Sequence, residues 1–258
     1  MGFVMWSWFH WLFMLSPAAY TVAAHFAFRK SSLKTKRIAG IIMSAVAVAL
    51  LFARNIEILV NNGWHIEPEV IPLQICHFAN FVLLFAFIYN NKTLFALAFC
   101  LNLPAAAMSI VFADSLVNYT SWSIRGVVYI IGHMMIVGIT LWAFVSDMIK
   151  LDRKTFLRLL ILMLMMYLVS VPVNNILNNL MPGYTANYFY TVKPENGTPL
   201  EMFYNLGSPV EFWGMTVHPV YMLLTALLGF AVVSAFYGIY ILVYRLKGRS
   251  ARTAPVTD

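Results

Sequence analysis

The chain has 258 residues, of which 61% are hydrophobic and only 10% charged, a balance too apolar for a soluble domain of ordinary composition. A net charge of +7 would suit a nucleic-acid partner, but the basic residues sit in short loops beside apolar runs, so topology explains them and no nucleic acid is implied. Cys76 and Cys100 both lie inside apolar segments, which excludes a disulfide framework and marks them as free thiols.

Apolar stretches of about 20 residues recur along the whole length, each long enough to cross a hydrocarbon core roughly 30 Å thick as a helix. They predict an all-α integral membrane protein with about seven transmembrane helices, at residues 6–28, 38–60, 70–89, 93–113, 126–149, 156–180 and 219–244. Strands are excluded because these runs are continuously apolar, and an isolated strand leaves its backbone groups unpaired in lipid. Residues 1–258 thus form a single polytopic domain. The first stretch lacks the positive n-region of a cleavable signal and is taken as a retained span.

Between spans three and four, Asn90-Asn91-Lys92 marks a tight turn; without it two spans would merge and the parity would reverse. With it, Arg29, Lys30, Lys34, Lys36, Arg37, Lys92, Lys150, Arg153, Lys154 and Arg158 all fall on one side, together with the basic tail at 245–258. The opposite side keeps Lys193 and the edge residue Arg125, so the charge bias predicts N-out and C-in. The outward segment 181–218, rich in Pro, Gly, Asn and Tyr, is expected to be an ordered or re-entrant extracytoplasmic loop. Trp6, Trp8, Trp11, Trp64, Trp122 and Trp213 mostly fall at the outer interface, where tryptophan anchors spans. Asn118-Tyr119-Thr120 and Asn196-Gly197-Thr198 match the glycosylation pattern, which matters only in a eukaryotic secretory pathway.

Ionisable residues inside the hydrocarbon cost roughly 2.5–3.5 kcal/mol each on insertion scales, so each needs a partner or a water-lined cavity. Arg54 and Glu57, spaced i,i+3 near the outer end of span two, are placed to neutralise each other. Span three brings Gln74, Cys76, His77 and Asn80, span five brings His133, and span six ends in Asn174, Asn175, Asn178 and Asn179. Arg54, Cys76, His133 and Asn174 come out roughly 9–12 Å below the outer boundary on four separate helices. That shared depth predicts a polar cavity open to the outer leaflet; an interhelical hydrogen-bond network is the alternative, and the two are compatible.

Cys76 with His133 is the sharpest chemical candidate, because a buried thiol becomes a nucleophile only when a base removes its proton. The helical turn carries His77 about 100° away from Cys76, so it is better placed to orient another group. His10, His77, His133 and His218 lie towards the outer side, but no paired metal-ligand spacing stands on one helix and no metal or cofactor is expected. Span seven lacks the lysine a retinal Schiff base requires, and phosphate-binding glycine loops are absent.

From Pro72-Leu73-Gln74-Ile75-Cys76 onward the sequence resembles the bacterial YwaF-type integral membrane proteins, related to the vertebrate transmembrane protein 164. Gly132-His133, Asn187-Tyr188, Lys193-Pro194, and Leu206-Gly207 with Pro209 follow in the same order as that family's landmarks. The family pattern has Leu-His-Leu-Cys; here Gln74 occupies the His position and an extra His77 follows the cysteine, so a role for that His does not transfer. The YwaF-type resemblance implies a bacterial cell membrane as the location; vertebrate members resemble acyltransferases that remodel ether phospholipids through a Cys and His pair, which implies Cys76 and His133 as counterparts. The resemblance implies a lipid acyltransferase, or a hydrolase of the same chemistry, with membrane lipids as partners and a phospholipid as substrate. Arg54, Glu57, Gln74, His77, Asn80, Asn174, Asn175, Asn187 and Tyr188 are the expected substrate-binding or oxyanion groups. The competing expectation is a non-enzymatic protein that binds or moves a small polar solute, with Arg54, Glu57 and His133 as its recognition set.

Overall fold

A computed structural model describes residues 2–117, 122–195 and 198–253, without the side chains of 114, 115 and 248–253. Both glycosylation tripeptides fall wholly or partly outside these residues. Among the described residues seven helices are long and apolar enough to cross a membrane, and the chain is an all-α multi-pass protein. In order these are α1 (Trp8–Phe28), α2 (Leu33–Asn61), α3 (Ile75–Tyr89), a composite span of α4 (Lys92–Leu97) and α5 (Leu103–Val111), α7 (Ile124–Val145), α8 (Arg153–Leu180) and α10 (Pro219–Thr253). Two short helices, α6 (Asp114–Val117) and α9 (Leu200–Tyr204), lie between them.

Side-chain caps explain where the helices begin. Ser32 accepts from the Thr35 amide and starts α2 at Leu33, and Asp152 accepts from the Thr155 amide at 2.7 Å and starts α8 at Arg153. Both helices therefore begin earlier than the apolar runs, because a cap stabilises a first turn whatever the polarity of the residues after it. The same Thr155 amide bond holds the Asp152 carboxyl below the usual carboxylate range. Asn90, left-handed at φ 48°, closes α3, and the Asn91 carboxamide caps α4 by accepting from Thr93 and Leu94, which makes the turn that separates spans three and four. Pro104 has no amide hydrogen to continue an α ladder, and the chain before it widens into a π-turn at Ala98–Asn102.

α7 is the central element. It packs against α1, α2, α3 and α5, and Trp142, Ile136 and Ile139 on it are almost wholly buried. α8 packs on α4, while α10 rests on the π-turn and α9. The α1–α7 and α2–α3 seams are closed by glycine: a Cβ on Gly138 would lie 2.6 Å from Tyr20 Cδ1, and one on Gly40 would enter the Phe87 ring. The polar loops 62–74 and 181–218 share one end of the bundle, called the loop face below. The clusters around Arg29 to Arg37 and Lys150 to Arg153 occupy the other, basic face.

Gly138→Val and Gly40→Val should each lower stability by about 1–3 kcal/mol through overpacking. Gly132→Ala, with nothing within 4 Å of the added methyl, should leave it unchanged or higher. Thermal unfolding in detergent micelles distinguishes the two classes.

Candidate functional site

The chain does not enter span three as a helix. A 3-10 turn at Pro68–Val70 folds it back first, and α3 starts at Ile75, so Cys76 is the second residue of that helix. Four side chains from other elements hold the turn. Asn55 Nδ2 donates to the Val70 carbonyl at 2.8 Å, Tyr188 Oη donates to the Pro68 carbonyl at 2.6 Å, and Arg54 and Arg125 each pair with a different carboxylate oxygen of Glu69. Arg125 also lies 3.7 Å from Glu67. The expected Arg54–Glu57 pair is thus corrected. Glu69 takes the guanidinium because the turn carries it back over α2, and Glu57 Oε2 is buried without a hydrogen bond.

Beginning α3 at this point leaves the amide hydrogens of Ile75, Cys76 and His77 without backbone partners, the normal state of a helix's first turn. The Cys76 thiol lies there, partly buried and within electrostatic reach of His133 of α7. Its sulfur is 3.7 Å from Ser109 Oγ, near the end of α5. Ser109 Oγ donates to the Ala105 carbonyl at 3.1 Å, and Tyr129 Oη donates to the Ser109 carbonyl at 2.7 Å. His133 Nδ1 is 2.7 Å from the Tyr129 carbonyl oxygen. A carbonyl only accepts, so Nδ1 carries the proton and the neutral ring keeps Nε2 as its basic atom. The Tyr129 and His133 rings also overlap, with centroids 4.2 Å apart.

Arg54 and His133 both reach His77 electrostatically, and His77 Nδ1 is buried without a hydrogen bond. Asn80 donates back to the Cys76 and His77 carbonyls at 3.2 and 3.5 Å, which leaves its Oδ1 buried and unpartnered. Gln74 is exposed and lines a cleft of ≈ 220 Å³ above the turn, together with Glu67, Glu69, Tyr184, Asn187 and Tyr188.

The asparagines have other work. Asn174 Nδ2 donates to the Tyr188 carbonyl and to Thr191 Oγ1 while its Oδ1 accepts from the Tyr188 amide, so both its hydrogens are committed. Asn175 donates to Val171 and accepts from Thr216, and Asn187 closes a turn by accepting from Val192 and Lys193. These residues, expected as substrate-binding or oxyanion groups, serve as staples of the 181–218 loop. A loop without regular structure must satisfy its backbone through side chains when it lies against buried helix ends. The loop they hold carries Tyr188, Phe189 and Tyr190 across the site, with Phe189 and Tyr190 in left-handed backbone at φ 55° and 57°. Burial, and then the nearby Cys76, Glu195 and Tyr221, push the Tyr190 phenol up, and burial pushes Tyr188 up to about 12.

A family model described as the TMEM164 family matches residues 5–244, which takes in every group named above. The chain belongs to the TMEM164 family. No curated protein and no solved structure matches it. Ser109 and Tyr129 are the members of the candidate site in this TMEM164-family chain that its sequence does not announce as such. Tyr129 had a signal, since it precedes His133 by four residues and shares its helix face. Ser109 had only its polarity in an otherwise apolar helix end. Among the described residues no three His, Cys, Asp or Glu gather as metal ligands; His10 is engaged with the Trp6 amide and the Ile110 carbonyl, far from His133 in the chain.

Glu69→Gln should destabilise the protein by about 1–3 kcal/mol, because it removes the carboxylate that pairs with the buried Arg54 guanidinium. Arg54→Met combined with Glu69→Gln should recover part of that loss, which a double-mutant cycle on thermal unfolding reads directly. At the foot of α10, His218 stacks on Tyr204 at 4.1 Å, and burial holds its imidazole below the ordinary 6.5. The folded state therefore favours the neutral ring. Its stabilisation is complete above about pH 6.5 and falls as the pH drops below that value. The thermal midpoint should decline with acidification in the native chain and decline less in His218→Phe.

Proposed function

We propose that the chain is a membrane-embedded lipid acyltransferase, or a hydrolase of the same chemistry, with Cys76 as nucleophile and His133 as base. The observation that carries this reading is the His133 Nδ1 bond to the Tyr129 carbonyl, which leaves Nε2 as the basic atom of a ring within electrostatic reach of Cys76. Family membership supports a membrane protein with a lipid-related role. By the bias of basic residues in loops, the basic face lies in the cytoplasm and the site opens to the extracytoplasmic leaflet.

In the first step Nε2 takes the thiol proton and the sulfur attacks the carbonyl carbon of a lipid ester. The positive end of α3 favours the thiolate, and Ser109 Oγ can turn from the Ala105 carbonyl towards the sulfur. The oxyanion that forms is met by first-turn amides of α3, which have no other backbone partner. Collapse breaks the carbon–oxygen bond, the leaving alkoxide takes the proton from His133, and a thioester on Cys76 remains. A second lipid hydroxyl then gives its proton to His133 and attacks the thioester, forming a new ester and releasing Cys76. With water in that place the outcome is hydrolysis. Arg54 is already engaged by Asn55 and Glu69, which leaves the polar-solute reading without its main recognition group.

Purified protein given a phospholipid with a labelled acyl chain should acquire a label that hydroxylamine removes. Cys76→Ser should abolish it, and His133→Ala should slow it by about 10²–10⁴-fold. Ser109→Ala should slow it by about tenfold, the equivalent of one hydrogen bond worth ~1.4 kcal/mol. Label retained at full level in Cys76→Ser rejects the proposal.

A further inference from the structure

Between α9 and α10 lies a short antiparallel hairpin, β1 (Val210–Phe212) and β2 (Met215–Val217), paired Val210 to Val217, Glu211 to Thr216 and Phe212 to Met215. Residues opposite each other in a ladder share a face, and faces alternate along each strand. Val210, Val217, Phe212 and Met215 therefore form one wholly apolar face. Glu211 and Thr216 form the other, and there Thr216 Oγ1 donates to Glu211 Oε1 at 2.7 Å. The tip is Trp213-Gly214, both left-handed at φ 51° and 72°, the backbone a two-residue hairpin turn demands. Tryptophan has no intrinsic preference for that conformation, so its presence there needs a reason.

Protein covers this apolar face only in part: Met215 and Val217 are half-buried, whereas its β1 side and the tip stand open. Trp213 is 88% exposed, Phe212 55% and Val210 47%, and the Phe212 and Trp213 rings stack with planes 7° apart. A two-stranded hairpin is marginal in water by itself, so such a face requires a cover. The position of the hairpin says what that cover is. The Thr216 amide donates to Asn175 Oδ1 at 3.0 Å, and Asn175 stands five residues before the end of α8, roughly 7.5 Å down the helix axis. β2 thus runs beside the last turns of a membrane span, at a level where the flank of α8 is apolar and exposed, Ile176 at 55%.

We propose that the 210–217 hairpin is a membrane-inserted wedge, with its apolar face and Trp213 lying in the lipid interface beside α8 and its Glu211–Thr216 face turned to water. An interfacial level satisfies both faces at once, which full immersion and full solvation do not. Asn174, the residue before the hairpin's anchor, holds the Tyr188–Tyr190 loop over Cys76. The wedge and the loop beside the proposed site are thus tied to adjacent residues of α8. Its insertion stands whether or not Cys76 is a nucleophile.

The test uses the full chain in liposomes and compares its tryptophan emission with that of Trp213→Phe, a change at an exposed side chain that spares the fold. The difference between the two should amount to about one of the seven tryptophans. It should be blue-shifted, quenched by lipids brominated on the upper part of the acyl chain, and spared by aqueous iodide. A red-shifted difference quenched by iodide places Trp213 in water and overturns the proposal. A difference that neither quencher reaches means that protein covers it, as a second copy of the chain would, and overturns it equally. Phe212→Trp in the Trp213→Phe background gives a second reporter on the same face, with the same quenching pattern expected.

Discussion

The shape of the site depends on the Glu69 carboxylate and the two guanidiniums that share it. A charged side chain buried near lipid is tolerated only with a partner, and Arg54 and Arg125 find the same one. Their joint hold, with Asn55 and Tyr188 on the adjacent carbonyls, keeps the Pro68–Val70 turn folded into the protein. Non-helical backbone at such a level is allowed because protein satisfies it. The consequence is that α3 begins inside the bundle, with free amide hydrogens at its first turn. Had the helix started at the water boundary, Cys76 would lie in the middle of an ordinary ladder with its own amide used up.

The loop face is built mainly with neutral amides. Asn174, Asn175, Asn178 and Asn187 each hold backbone groups with both ends of the carboxamide, and together they fix the 181–218 segment without adding charge. A carboxylate or guanidinium in those places would have altered the field around Cys76 and His133. The amides secure the loop and leave that field to Arg54, Glu69 and Arg125. The left-handed pair Phe189–Tyr190 is the local strain that this fixation sustains, and it carries the Tyr190 ring towards the sulfur's surroundings.

The seven spans were legible because their signal is length, and a run of twenty apolar residues has few other readings in a chain of this composition. The turn at Asn90-Asn91-Lys92 was legible for a related reason, since asparagine accepts the left-handed backbone and also caps a helix. Partner choice within the site was not. The i,i+3 spacing of Arg54 and Glu57 is a local pattern, whereas the real partner lies 15 residues on and arrives through a turn that no periodicity announces. Asn174 and Asn175 misled in the same way: composition says that an amide will bond, and only the fold says to what. Tyr129 reaches His133 through its backbone carbonyl, which every residue has and no sequence displays, and Ser109 meets Cys76 with a hydroxyl that only the fold brings near. The hairpin did leave a trace in the alternation of Val210, Phe212, Met215 and Val217, but its Trp-Gly tip lacks the Asn-Gly or Asp-Gly that usually announces such a turn.

The chain also contains a second cysteine against which the surroundings of Cys76 can be compared. Cys100 sits in the π-turn, fully buried among Phe99, Leu103 and the side chains of α10, and no histidine or hydroxyl reaches its sulfur among the described residues. Cys76 is the same residue in a span of similar hydropathy, yet it stands at a helix start, faces His133, touches Ser109 and is only partly buried. Polarity inside a membrane is costly wherever it occurs, so a fold concentrates it where it is used. The described polar groups around Cys76 come from α2, α3, α5, α7 and the 181–218 loop. Around Cys100 the π-turn supplies one buried polar side chain, Asn102, and no ionisable group of the described residues reaches the sulfur.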